Sequence, residues 1–312
     1  MRASSSSLLE QRKPEGGGAF PMQTRILKPM LHTFFILLLI YALVVGFFAL
    51  LQNRLIYFPS RRMIAPEDAG LEKVEQIQFL TSDGIRLSGW YLSPPSQAPV
   101  LLNFNGNAGN LAGRAHLMEM ARQNGWGMLL FDYRGYGGSA GTPSEAGLYR
   151  DSRGALDWLR VQKAVDQSRI CYYGQSLGSA VALELAAADP PAALILEAPF
   201  TSMKNLAREL YPWLPVSLFL RNRFDNLESL RRVYCPKLIV HGRQDEVVPF
   251  RHGKTLFEMA PEPKQFLELN THHNDIFENG GPPYWKALRD FVNRAAAPVN
   301  SAPAKPEDPT TK

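Results

Sequence analysis

A five-residue turn limits what this chain can become. Gly174-Gln175-Ser176-Leu177-Gly178 lies between an apolar run, Ile170-Cys171-Tyr172-Tyr173, and an Ala-rich one, Ser179-Ala180-Val181-Ala182-Leu183-Glu184-Leu185. The first run reads as a buried strand and the second as a helix. A strand that turns straight into a helix through G-x-S-x-G is sterically demanding, and glycine on both flanks avoids the clashes a Cβ would bring. Ser176 is then held up with its hydroxyl exposed. The new helix aims its positive N-terminal end at the same place. Three fixed residues recur by chance, so the flanking strand and helix give the pattern its weight.

The rest of the chain repeats that alternation. Val74–Leu80 and Ile85–Leu92 read as a hairpin around the turn dipeptide Asp83-Gly84. Further strands are predicted at Val100–Phe104, Met128–Phe131, Ile170–Tyr173, Ala193–Leu196, Leu238–His241 and Gln265–Leu269. Helices are predicted at Leu111–Gln123, Pro143–Val161, Leu177–Ala187, His252–Met259 and Tyr284–Ala295. Strands alternating with helices imply an α/β fold: a mostly parallel central sheet of about eight strands, covered by helices on both faces. The core domain spans residues 56–295. An excursion over 199–232 interrupts the sheet and is expected to form a small cap rich in apolar residues, among them Leu210, Tyr211, Trp213, Leu214, Val216 and Leu218. Those residues suit either an apolar acyl pocket or the cap's own core.

Over residues 56–295 the chain resembles the α/β-hydrolase superfamily. Within it, the likeness is to single-pass membrane serine hydrolases of the serine-aminopeptidase-like group, whose animal relatives include depalmitoylating thioesterases. The resemblance rests on Tyr57-Phe58-Pro59-Ser60, Asn105-Gly106-Asn107-Ala108-Gly109-Asn110, Asp132-Tyr133-Arg134-Gly135-Tyr136-Gly137, the turn around Ser176, and His241-Gly242-Arg243-Gln244-Asp245. It implies a Ser nucleophile followed along the chain by an acid and then a His. Asp245, just after the strand Leu238–His241, is the expected acid, with Glu246 as its neighbouring alternative. Asp225 reads instead as a helix cap, because Asp225-x-x-Glu228 matches a capping pattern.

Of the six histidines, only His252, His272 and His273 follow Asp245, and only the last two follow a final strand. The family pattern of His before Asn-Asp points to His273, in His273-Asn274-Asp275. Asp245 would fix its tautomer. Backbone N–H groups would stabilise the oxyanion, one from Leu177 and, by the resemblance, one from Asn107. Asn105 departs from the His-Gly-Asn usual at that loop. Asp132-Tyr-Arg-Gly-Tyr-Gly-Gly lacks the G-K-[ST] ending of a phosphate loop and reads as a wall of the site, with Asp132 and Arg134 holding loops together.

Phe34–Leu51 carries no charge over eighteen residues, and Met30–Thr33 extend the run. That length spans a bilayer core. No small-residue cleavage site follows it, so residues 30–51 read as an uncleaved transmembrane anchor. Nearest the run, Arg12, Lys13, Arg25 and Lys28 lie before it and Arg54, Arg61 and Arg62 after it. The excess slightly favours a cytoplasmic N-terminus with the hydrolase domain on the other side. Residues 1–29 read as a flexible head and 296–312 as a disordered tail. The net charge of +5 is misleading as a sign of nucleic acid. Residues 1–62 hold eight Lys/Arg against Glu10 and Glu15, one charge more than the chain's whole excess, which leaves residues 63–312 at −1. No nucleic-acid partner is expected.

The function expected is a membrane-anchored hydrolase acting on acyl esters or thioesters, with the bilayer as partner and no metal or organic cofactor. Peptidase action and a silent membrane scaffold are the alternatives. The two cysteines, Cys171 and Cys235, flank positions two strands apart, about 9–10 Å. A disulfide needs less than about 7 Å between Cα atoms. Both thiols should therefore titrate in the denatured, unreduced protein, and finding one or none would refute that spacing.

Overall fold

The computed structural model describes residues 22–95 and 97–295. The expected head (1–29, up to residue 21) and tail (296–312) lie outside the described residues. The chain divides into two units between Phe48 and Ala49. In the first, a single helix begins at Met22 and runs on to Ile56 (α1, Met22–Ile56). Its stretch Leu27–Ile56 is the one helix among the described residues long and apolar enough to cross a membrane. The helix is longer than the apolar run 30–51: it continues through Pro29 and takes in Lys28 on one side and Arg54 on the other, both good helix formers.

The second unit is built on an eight-stranded sheet. In chain order its strands are β1 (Val74–Leu80), β2 (Arg86–Leu92), β3 (Val100–Phe104), β4 (Gly127–Phe131), β5 (Ile170–Gln175), β6 (Ala193–Glu197), β7 (Lys237–Gly242) and β8 (Lys264–Leu269). Their spatial order is β8-β7-β6-β5-β3-β4-β2-β1. β1 and β2 form the antiparallel edge, β2 meets β4 antiparallel, and every other pair is parallel. At the hairpin, Gly84 takes a positive φ of 75° and the Thr81 hydroxyl donates to Asp83 at 2.6 Å. This is the turn chemistry that Asp-Gly supplies.

Central strands are apolar on both faces because both are covered. Val100, Leu102 and Phe104 point into one core layer, with side chains from α3 (Glu145–Gln162), α4 (Leu177–Ala188), α7 (Asn226–Leu230) and α8 (Arg251–Met259). Leu101 points into the other, with α2 (Ala115–Gln123) and α10 (Gly281–Ala295). The sequence predicts one helix over 111–123, but its first turn, Leu111–Arg114, is a 3-10 turn capped by Asn110. Arg114 departs from helical geometry (φ −116°, ψ 14°). The excursion forms α5 (Met203–Leu210), α6 (Val216–Phe219) and α7, followed in the chain by α8 and then by α9 (Ile276–Asn279). Its apolar residues divide: Leu206, Leu214 and Val216 are buried, whereas Leu210, Tyr211, Trp213 and Leu218 are exposed. Cys171 and Cys235 are both free thiols.

The side on which successive strands are added reverses at β3, which has β5 on one side and β4 on the other. Such a switch point opens a crevice beyond the carboxyl ends of the strands. There the N-terminal turn of α4 presses on the end of β3. A Cβ on Gly178 would lie 1.9 Å from the Phe104 carbonyl oxygen. No side-chain rotation relieves a clash with backbone. Gly178→Ala should therefore cost about 3 kcal/mol, or roughly 6–12 °C in Tm for a domain of this size. Thermal melts check this, and an unchanged Tm would contradict the contact.

Candidate active site

The crossing of β5 and α4 places Ser176 at φ 52°, ψ −116°, a backbone conformation L-residues rarely adopt. Neighbours hold it there. The Ser176 N–H donates to the Glu197 carbonyl at 2.8 Å. The Ser179 hydroxyl reaches the carbonyls of Gly174 (2.9 Å) and Glu197 (3.1 Å). A Cβ on Gly174 would meet the Gly178 carbonyl oxygen at 2.6 Å. Each flanking glycine thus has its own steric reason.

Three predicted residues meet at this turn. Ser176 Oγ lies 3.0 Å from His273 Nε2, and His273 Nδ1 lies 2.7 Å from Asp245 Oδ2. Since a carboxylate only accepts, Nδ1 carries the proton and Nε2 is left to accept from the Ser176 hydroxyl. The other Asp245 oxygen accepts from the N–H groups of Val247 (2.9 Å) and Val248 (2.6 Å). Burial pushes this carboxyl up, but hydrogen bonds from His241 and His273 outweigh it and hold it well below the usual carboxylate range.

The alternatives lie elsewhere. His272 and Glu246 pair with each other in solvent at 3.1 Å. His252 contacts Thr201 and Glu209. Asp225 caps α7 by accepting from the Glu228 N–H. His116 packs its ring on Phe277. Among the described residues, no three His, Cys, Asp or Glu side chains converge so as to hold a metal ion.

The loop after β3 runs beside the turn, with Phe104 in register with Gly174. An amide network supplies the pinning that Asn105 leaves open in the sequence. Asn105 Nδ2 donates to the Phe131 carbonyl (3.0 Å), Asn103 donates to Asn105 Oδ1 (2.7 Å), and the Tyr133 hydroxyl donates to the Asn105 carbonyl (3.2 Å). Asn107 is clamped as well. Its carbonyl accepts from the Phe58 N–H and the Tyr136 hydroxyl, and its amide donates to Ile56. Phe58–Pro59 pairs as a short parallel strand with Ala108–Gly109. The Tyr-Phe-Pro-Ser segment is thus the outer brace of this loop. Asp132 accepts from the Leu111 N–H at 2.7 Å, and Arg134 bridges Asp151 and Asp83.

Three neighbours escape sequence reasoning. His241 is fully buried and lies 3.3 Å from Asp245; its Nε2 also faces the Val248 carbonyl at 2.9 Å, so that nitrogen carries the proton. Arg114 lies beside the Asn105–Asn107 loop. Glu197, whose carbonyl holds Ser176, buries its carboxyl against the Tyr284 hydroxyl, which in turn meets Tyr173 at 3.0 Å. Arg114 and Glu197 carry no motif, and although His241 opens His-Gly-Arg-Gln-Asp, the motif alone does not say that it lies against Asp245. An acid closing an apolar strand likewise gives no signal of what lies around it.

The chain belongs to the α/β-hydrolase family. The model of the alpha/beta hydrolase fold matches residues 99–228. An uncharacterised Mycobacterium tuberculosis protein is 41% identical over 248 residues, covering 78% of this chain and 88% of that protein. Lysophosphatidylserine lipase ABHD12 of Rattus norvegicus is 28% identical over 278 residues, 74% of this chain and 69% of the lipase. Among solved structures, the Pyrococcus furiosus esterase Pf2001 superposes with a TM-score of 0.65 at 18% identity, covering 77% of this chain and 98% of the esterase. At that identity the likeness speaks for the fold alone.

Burial pushes the Glu197 carboxyl up to about 7, against hydrogen bonds from Tyr284 and Tyr173. Its folded pKa lies above the unfolded one, so its contribution to stability is present at low pH and is lost as pH rises through about 7. Glu197→Gln removes that titration. The Tm of this variant relative to wild type should climb between pH 5 and pH 8, and a flat difference would show that the carboxyl titrates normally.

Proposed function

We propose that this protein is a membrane-anchored serine hydrolase that cleaves carboxylic esters or thioesters through an acyl-enzyme. The observation that carries the reading is the unbroken hydrogen-bond chain from Ser176 Oγ through His273 to Asp245. His273 Nε2 takes the Ser176 proton as Oγ bonds to the substrate carbonyl carbon. The carbonyl oxygen becomes negative and receives the backbone N–H groups of Leu177 and Asn107. Collapse of this intermediate breaks the bond to the leaving group, which takes the proton from His273. Water, deprotonated by the same imidazole, then releases the acid and restores Ser176. Asp245 keeps His273 in the required tautomer and balances its positive form. This chemistry calls for no metal or organic cofactor.

The lipase among the relatives favours esters of acyl chains over peptides. The apolar helix favours a place at the bilayer, with the N-terminus on the cytoplasmic side and the hydrolase domain opposite. The cap is hydrogen-bonded to residues that follow the apolar run: Gln52 with the backbone of Phe219 and Arg221, and Asn53 with Asn222. Exposed Leu210, Tyr211, Trp213 and Leu218 give that cap an apolar outer surface suited to lipid.

Wild-type protein should react with a fluorophosphonate probe at Ser176 and hydrolyse members of a substrate panel varied in acyl length and leaving group. Ser176→Ala should lose labelling and about 10³-fold or more of turnover, with its melting curve retained. Ester hydrolysis surviving in that variant would defeat the assignment.

A further inference from the structure

Arg114 stands out among the groups the reaction sequence leaves unused. It sits where the 3-10 turn ends, and its backbone departs from the helix there. Its guanidinium makes one long hydrogen bond, from Nη2 to the Ala108 carbonyl at 3.4 Å. Its Nε is enclosed and meets no acceptor among the described residues. Among the described residues no carboxylate pairs with it, although Asp132 and Glu197 are near enough to act on its charge. Burial pushes both of those acids up to about 7, which weakens their power to neutralise it. Burial also lowers the arginine's own pKa, yet a guanidinium remains charged at neutral pH. A half-buried cation whose Nε is enclosed without an acceptor is incompletely compensated, and such a group is suited to completion by a ligand.

Its position says which ligand. A Cβ on Gly106 would lie 3.6 Å from Arg114 Nη2 and 3.9 Å from Ser176 Cβ. Arg114 Nη2 and Ser176 Cβ therefore both border the space a side chain would fill at Gly106, no farther apart than those two distances laid end to end. An ester bound with its carbonyl at Ser176 brings the groups next to its scissile bond within reach of Arg114. A planar fork of N–H donors matches phosphate and carboxylate oxygens.

We propose that Arg114 is a specificity-determining residue that receives an anionic group, phosphate or carboxylate, carried by the substrate close to its scissile ester. The proposal rests on the serine-hydrolase reading above and narrows it to acidic esters. A neutral ester would leave the guanidinium incompletely paired, so discrimination comes from the cost of the wrong substrate as well as from contacts to the right one.

The test uses the full chain in neutral detergent and two matched substrate pairs. 1-Oleoyl-glycerol 3-phosphate against 1-oleoyl-glycerol places the anion in the leaving alcohol. Mono-p-nitrophenyl succinate against p-nitrophenyl butyrate places it in the acyl part. Wild type should prefer the anionic member of one pair by about tenfold or more in kcat/KM, and the pair that responds identifies which side of the ester carries the charge. Arg114→Gln should lower that anionic-to-neutral ratio by about tenfold or more, and Arg114→Lys should lower it less. Gly106→Ala is the second variant. Its added methyl makes only ordinary contacts with Arg114, Gln175 and Ser176, so the fold should persist while the ratio falls. Equal losses on both members of each pair, or no wild-type preference in either pair, would overturn the proposal. Fluorophosphonate labelling separates it from its foundation. Labelled Ser176 with no anionic preference overturns the role of Arg114 alone. Absence of labelling at Ser176 in wild type overturns the hydrolase reading and this proposal with it.

Discussion

The contact between the first turn of α4 and the end of β3 is the constraint on which the site depends. Backbone meets backbone there, at a separation that only glycine at 178 permits. This closeness forces the abrupt strand-to-helix turn and leaves Ser176 at positive φ. Residues outside the α and β basins cost about 1–3 kcal/mol, and they persist only where surroundings over-determine them. Here the surroundings are the Ser176 N–H to Glu197 bond and the two bonds made by the Ser179 hydroxyl. Two of these three bonds run to Glu197 on the neighbouring strand β6 and the third to Gly174 on β5 itself, so the strained residue is held by the sheet.

A second theme is how buried charge is placed. Asp245 is surrounded by donors: two backbone N–H groups, His273 and His241. It stays ionised in a buried setting because every lone pair it presents is met. Glu197 and Asp132 have fewer donors, and burial pushes both toward the neutral acid. Arg114 stands between these regimes, charged and incompletely paired. The same rule explains all four groups: burial penalises charge, and the number and sign of partners decide whether the group keeps it.

Much of this was legible along the chain. Each of the eight strands lies within two residues of its predicted position: central strands covered on both faces are apolar throughout, and the edge strand β1 is marked by its turn and by its partial alternation. The Asp83-Gly84 turn and the flanks of Ser176 were legible for a similar reason, since few residues tolerate those backbone angles. The 3-10 turn at Leu111–Arg114 was not, as its apolar spacing is that of a helix and the departure lies in the backbone of Arg114. The division of the cap's apolar residues into buried and exposed sets was equally hidden, because segments that short lack a period long enough to fix a face.

Sequence by itself determined what depends on neighbours a few residues apart: strand and helix positions, the glycine-flanked serine and the apolar helix. Tertiary structure alone decided what depends on residues distant along the chain. It chose His273 to stand by Ser176 and left His272 paired with Glu246 in solvent. It set His241 beside Asp245, the Glu197 carbonyl against the Ser176 N–H, and Arg114 beside Gly106 near the serine. The physical reason is range. Steric and hydrogen-bonding preferences of the backbone act over a few residues and leave periodic marks, whereas the energy of a buried charge depends on which groups folding brings around it.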